Sequence, residues 1–189
     1  KPVIPSESPA SKARPDLVIL ATVARAIACK RPLRMRYLSV SSGAKTRDIV
    51  LVALADSGLR WHVRAFDRLN DRFSDFVLRR IQSAEILDPL SSEHERLAAD
   101  EQWTRIVNMD LVPHPDAEWP EGIEVDFDMR EGCLKMRTRA ALAGYLLQRW
   151  SVDCSESHTL NPKQHQLWLR NPQTLYGVDS AKLAPGYGD

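Results

Sequence analysis

The sequence has no paired-cysteine spacing, no catalytic signature and no long apolar run. Its three cysteines, Cys29, Cys133 and Cys154, lie far apart, and neither CxxC nor HExxH occurs. That absence excludes a disulfide framework and the common zinc modules, and a sparse, odd set of thiols fits a reducing cytoplasm. GxSxG, P-loop and GxGxxG motifs are missing too, so no nucleophile–base set and no phosphate-cradling loop is recognisable. No apolar stretch is long enough to span a membrane and no signal peptide is visible. These absences predict no catalytic residue, no metal, no cofactor and no membrane partner. Charge of one sign is also not in excess. The 189 residues carry a net charge of +1, with 43% hydrophobic and 27% charged residues. Such a chain is not a general polyanion binder, and any anion site must be local. The chain opens on Lys1 rather than methionine, so a piece of a longer protein is expected.

What is present is a local concentration of arginine. Residues 60–81 hold six arginines, three aspartates and no lysine, interleaved with aromatic and β-branched residues. Arginine offers a rigid, permanently charged fork that suits phosphate and carboxylate. Alternation along Leu59–Phe66 puts Leu59, Trp61, Val63 and Ala65 on a core face and Arg60, His62, Arg64 and Phe66 on a cationic surface. A further strand over Phe76–Ile81 would place Arg79 and Arg80 on opposite faces. The pattern points to a recognition pocket for an anion. The plain alternative is arginines on solvated strands, paired with Asp67, Asp71 and Asp75, and spacing alone does not decide between the two.

Along the chain, Lys1–Pro15 is rich in proline and serine and reads as a linker. Asp16 caps a helix with Leu17, Leu20, Ala24 and Ile27 on one stripe, closed by Pro32. Strands are expected at Leu33–Ser39, Arg47–Ala53, Leu59–Phe66 and Phe76–Glu85, forming a small, strongly bent sheet or barrel. Pro89 marks a boundary. Ser92 and Glu95 have capping-box spacing for a short helix to about Gln102, followed by a strand at Thr104–Val112. Ile123–Met129 and Leu134–Thr138 then read as a hairpin about Glu131-Gly132, with Asp128, Asp126 and Glu124 facing Lys135, Arg137 and Arg139. A helix from Arg139 to Trp150 and a strand at Gln166–Arg170 complete a small α+β layer. The tail Tyr176–Asp189 is expected to be peripheral.

Other candidates are weaker. A lone strand histidine such as His62 is usually structural, its rival role being a donor to a bound anion. His114, His158 and His165 fall in loops without an evident partner. Cys29 lies near Lys30 and Arg31, which would lower its pKa, although a buried inert thiol is the simpler reading. Ser39, Ser41 and Ser42 precede Gly43 in a turn able to hold phosphate or to be only a turn.

The helix followed by Leu33-Arg34-Met35-Arg36-Tyr37-Leu38-Ser39, Arg47, Trp61-His62-Val63 and Phe76-Val77-Leu78-Arg79-Arg80-Ile81 resembles the WYL domain, with Trp-His-Val at the signature triplet. Pro113-His114-Pro115, Ile123–Met129 and Tyr145-Leu146-Leu147 are similar to the C-terminal WCX extension of the BrxR/CapW branch of that family. The resemblance spans roughly residues 17–175. It implies an α+β fold: a helix and a small Sm-like or SH3-like β-barrel (16–90), then a small ferredoxin-like WCX domain (91–175), after a linker (1–15) and before a tail (176–189). It further implies a homodimeric, cytoplasmic repressor rather than an enzyme, serving an anti-phage defence operon. Operator DNA would be read only through an N-terminal winged helix-turn-helix that this chain lacks. A nucleic-acid or nucleotide ligand would occupy a pocket formed by Tyr37, Ser39, Arg47, His62, Arg64 and Arg80. Ser74, where the family commonly has arginine, and Arg79, where it has a small or acidic residue, depart from the pattern. A constitutive dimerisation module with structural arginines, and an enzyme using His62 as acid or base, are the rival functions.

Overall fold

The computed structural model describes residues 15–88 and 90–188. The linker expected over 1–15 (apart from Pro15) and the boundary at Pro89 lie outside the described residues. The chain divides into two compact units, Lys1–Ser92 and Glu93–Asp189.

In the first unit, helix α1 runs Leu17–Cys29. Asp16 caps it by accepting the Val18 and Ile19 amides at 2.8 and 3.2 Å, and Lys30 ends it in a left-handed conformation. The buried stripe is Val23 and Ala26, flanked by Ile19, Leu20 and Ile27. Leu17 and Ala24, expected on that stripe, are exposed. The helix is rotated so that the residues four and seven after Ile19 face the sheet.

Five strands follow: β1 Leu33–Ser39, β2 Gly43–Asp56, β3 Trp61–Asp67, β4 Arg72–Val77 and β5 Ile81–Ile86. Their order in the sheet is β4-β3-β2-β1-β5, so consecutive strands β4 and β5 occupy opposite edges. Only the 3-10 turn Leu78–Arg80 joins them. Four Cα steps reach at most about 14 Å, whereas the edges of a flat five-stranded sheet lie roughly 19 Å apart. The sheet must therefore curl until its edges approach. Two features assist. A bulge between Leu51 and Ala53 bends the long β2. The Val77 amide also donates to Tyr37 Oη across the barrel at 3.1 Å. The 3-10 turn corrects the expected continuous strand Phe76–Glu85, because Arg79 and Arg80 sit in a turn and not on alternating faces of a strand.

Alternation in β1 buries Leu33, Met35 and Tyr37 and exposes Arg34 and Arg36. With Ile49, Leu51, Val63, Ala65, Phe76 and Leu78 they form the core. Burying a side chain of this size contributes roughly 1.5–3 kcal/mol. The Arg34–Asp48 pair across β1 and β2, at 2.8 Å, is exposed and screened by solvent and contributes little. Burial therefore decides the fold.

The second unit opens with two 3-10 turns, Glu93–Glu95 and Leu97–Ala99, and helix α2, Glu101–Thr104, in place of one continuous helix. Its sheet has the order β7-β6-β8, all antiparallel, with β6 Ile106–Pro113, β7 Leu134–Arg139 and β8 Leu167–Leu169. Between β6 and β7 lies helix α3, Pro120–Asp126, which overturns the expected hairpin. Ile123 and Phe127 are four residues apart and so serve a helix as well as a strand. Val125, which a strand would have turned inward with them, is 79% exposed. Pro120 at the first helical turn favours the helix. β7 pairs with β6 instead, setting Met136 opposite Met109 and Lys135 opposite Asp110. Glu131-Gly132 does form a tight turn, closing only the bridge Arg130–Cys133.

Helix α4, Ala140–Arg149, packs Ala140, Ala143 and Leu147 on Val107, Met109 and Leu111 of β6 and on Leu167 and Leu169 of β8. Val178, Ala181 and Ala184 join the same core, so the tail is an integral layer and not peripheral. Ser180 Oγ accepts the Gly144 amide at 3.0 Å and donates to the Ala140 carbonyl at 2.7 Å. A side chain at Gly144 would put its Cβ 1.7 Å from the Ser180 carbonyl oxygen, which explains glycine at that position.

Candidate functional site

Strand β3 was expected to present one core face and one cationic surface. All of His62–Asp67 is buried, while Trp61 is exposed. Val63 and Ala65 face the barrel core, and His62, Arg64 and Phe66 are covered on the opposite side. Leu59, expected in the core, is exposed.

Of the six candidate residues, Tyr37 and Arg47 lie on one face of the sheet and His62 and Arg64 on the other, while Ser39 ends β1 and Arg80 sits in the 3-10 turn. On the core side, Tyr37 packs edge-on against Phe76 with ring centroids 5.1 Å apart. Arg47 lies 6.0 Å from the same ring and pairs with Asp67 at 2.6 Å. Asp67 also accepts from Asn70 Nδ2 at 2.6 Å and the Leu69 amide at 3.1 Å, tying the Arg47 guanidinium to the β3–β4 turn. Arg47 Nε is buried and has no hydrogen-bond partner among the described residues. Ser39, at the end of β1, shares a hydrogen bond with Ser41 at 3.1 Å in a surface turn.

On the other side, Arg64 faces Asp75 across the ladder, Nη1 to Oδ1 3.3 Å. Arg64 also lies 6.0 Å from the Phe73 ring. His62 is 6% exposed. Burial, then the positive charges of Arg60 and Arg80, push its pKa from 6.5 down to about 4, only partly opposed by Asp56. The imidazole is therefore neutral at pH 7. Neither Arg60 nor Arg80 makes an ion pair among the described residues. Arg60 belongs to the cationic stretch read from the sequence, and the structure adds it to the surroundings of His62. Ser74 is half-buried on β4 and Arg79 is exposed.

This arrangement is suited to binding. Arg60 and Arg80, which act on the neutral imidazole and have no ion-pair partner among the described residues, give this side of the strand a basic character that an anion can meet.

A helix, a curled five-strand barrel with this basic strand, and a second α+β unit define a two-module WYL protein. Residues 18–86 match the WYL domain, and residues 106–175 match the BrxR transcriptional regulator C-terminal dimerization domain. The chain is 30% identical over 169 residues to the DNA-binding transcriptional repressor CapW of Escherichia coli strain KTE188, covering 87% of this chain and 55% of that protein. Its identity to the repressor of the same name from Stenotrophomonas maltophilia is 33% over 156 residues, 77% of this chain and 49% of the relative. For that of Pseudomonas aeruginosa it is 34% over 121 residues, 63% and 39%. The chain thus spans about half the length of the curated relatives it matches. It belongs to the WYL-type BrxR/CapW family of regulators. Its two matched domains are regulatory and dimerisation modules and not catalytic ones. Among the described residues, no helix is long and apolar enough to cross a membrane.

Proposed function

We propose that this chain is the ligand-sensing and dimerisation portion of a cytoplasmic transcriptional repressor, and that its ligand is a nucleic-acid or nucleotide-type anion. The observation that carries this reading is the pair Arg60 and Arg80, without carboxylate partners among the described residues, beside the buried neutral His62. The resemblance to DNA-binding repressors named CapW supports the regulatory role. In this reading the second unit forms a homodimer, and a segment outside this chain reads operator DNA, as in control of an anti-phage defence operon. The anion acts by binding one dimer geometry more tightly than another, since a ligand shifts an equilibrium only by its differential affinity.

The second reading is a constitutive dimerisation module. The carboxylate partners of Arg47 and Arg64 favour it, because a paired arginine is a structural one. Thermal-shift assays with single-stranded DNA, short RNA and cyclic oligonucleotides separate the two. Ligand at about 100 times its Kd adds roughly 2.7 kcal/mol, on the order of several degrees at this size. The sensor predicts a shift in wild type that Arg80→Ala and Arg60→Ala each diminish. No shift with any of these anions leaves the dimerisation module.

A further inference from the structure

The second unit carries a side-chain cluster that the regulatory reading does not use. His114, just past β6, is 1% exposed. Its Nε2 lies 3.1 Å from Asp153 Oδ2, and its Nδ1 accepts the Asp116 backbone amide at 3.1 Å. Together the contacts set the tautomer, with the proton on Nε2 and the lone pair on Nδ1. Asp116 Oδ2 is 4.0 Å from that Nδ1, and His158 Nδ1 is 3.0 Å from the same oxygen. One ligand atom from each of the three residues lies within 4.8 Å of the other two.

We propose that His114, Asp116 and His158 bind a divalent transition metal of the zinc class, joining the loop after β6 to the loop Ser155–Leu160. Bonds of 2.0–2.2 Å at tetrahedral angles place ligand atoms about 3.4 Å apart. The observed separations straddle that value, and closing on an ion needs shifts of roughly 1 Å or less. Two imidazoles and a carboxylate suit zinc, nickel or cobalt better than magnesium or calcium.

The support behind the ligands is an independent observation. Asp153 is fully buried. Its Oδ2 accepts from His114 Nε2 and from the Leu160 amide at 3.0 Å, while Oδ1 accepts the Ser155 amide at 2.8 Å and the Ser155 hydroxyl at 2.7 Å. One carboxylate therefore orients a ligand histidine and holds the loop that carries the other, as outer-shell carboxylates do at metal sites. Trp168 packs edge-on against the His158 ring, with centroids 5.7 Å apart. Asp116 is exposed and the His158 side chain is 37% exposed, so an ion enters from solvent and water completes its shell. The ion takes the Nδ1 lone pair of His114 from the Asp116 amide, which on this exposed loop turns to water, and it displaces the proton that His158 Nδ1 shares with the Asp116 carboxylate, the neutral ring then carrying its proton on Nε2.

The test is metal titration of the full chain after chelator treatment, using CoCl2 followed by d–d absorption and ZnCl2 followed by calorimetry. One equivalent per chain is expected, with tetrahedral cobalt intensity. Asp116→Ala, at an exposed position, and His158→Ala, at a half-buried one, should each weaken binding by more than about tenfold and abolish the metal-dependent rise in Tm. Absence of saturable binding overturns the proposal, leaving a surface Asp–His pair. Equal binding in wild type and both variants overturns it too, placing the ion elsewhere, for example on a cysteine.

Discussion

Arg64 and Asp75 face each other across the β3–β4 ladder with 5% and 16% of their side chains exposed, Nη1 3.3 Å from Oδ1. An arginine this covered carries fold stability whatever else it binds. Removing one member of a buried pair leaves the other charge desolvated, at a cost of about 3–5 kcal/mol. Arg64→Ala is expected to lose stability on that order in urea unfolding. Unchanged stability would show that Asp75 is held by its other neighbours. Arg64→Ala therefore perturbs fold and ligand response together, and Arg60→Ala and Arg80→Ala are the cleaner probes of binding.

His62 gives the first unit a pH dependence whose sign follows from its environment. Its folded pKa of about 4 lies below the ordinary 6.5, so between those values the unfolded chain binds a proton that the folded chain does not. The stabilisation is fully present above pH 6.5 and is lost as pH falls toward 4. The loss is on the order of 3 kcal/mol. Urea unfolding at pH 7.5 and pH 5 should show wild type losing clearly more stability than His62→Gln. An anion bound beside Arg60 and Arg80 should raise the His62 pKa, visible in the pH titration of its imidazole NMR signals.

Much of the first unit was legible because its signals are local. The Asp16 cap and the strand Leu33–Ser39 stand where spacing puts them, and the arginine-rich strand expected at Leu59–Phe66 begins two residues later, at Trp61. The turn Leu78–Arg80 was not, because a three-residue 3-10 turn between strands has no periodicity of its own. α3 was misread because Ile123 and Phe127 fit periods of both 2 and 3.6. For the candidate site, alternation put His62 and Arg64 on the face away from the core, but it did not show that this face is covered or that Tyr37 and Arg47 lie on the other side. The cluster of His114, Asp116 and His158 left no spacing signal, since 42 residues separate Asp116 from His158.

The docked tail makes Gly144 a sensitive position. A methyl group there meets the Ser180 carbonyl at 1.7 Å, so the tail must move away from α4. Gly144→Ala is expected to lose several kcal/mol, while Ser180→Ala, which removes only the bridging hydroxyl, loses about 1–2 kcal/mol. Limited proteolysis should cut the tail of Gly144→Ala faster than that of wild type. Equal cutting rates would mean that the tail is held elsewhere.

Barrel closure in the first unit depends on Tyr37 in two separable ways. Its ring packs on Phe76, and its hydroxyl oxygen accepts the Val77 amide at the end of β4. Tyr37→Phe keeps the ring but orphans a buried N–H where the chain leaves β4 for the opposite edge of the sheet. The cost of such an orphan is about 1–3 kcal/mol. Tyr37→Ala also removes the ring and should cost about 3–5 kcal/mol. Hydrogen exchange distinguishes the contributions. In Tyr37→Phe the Val77 amide should lose protection well beyond the global change in stability, while amides of β1 and β2 follow the global change. If Val77 and those strands lose protection equally, the hydroxyl contributes only to overall stability and the curl of the sheet is held by the 3-10 turn and the β2 bulge.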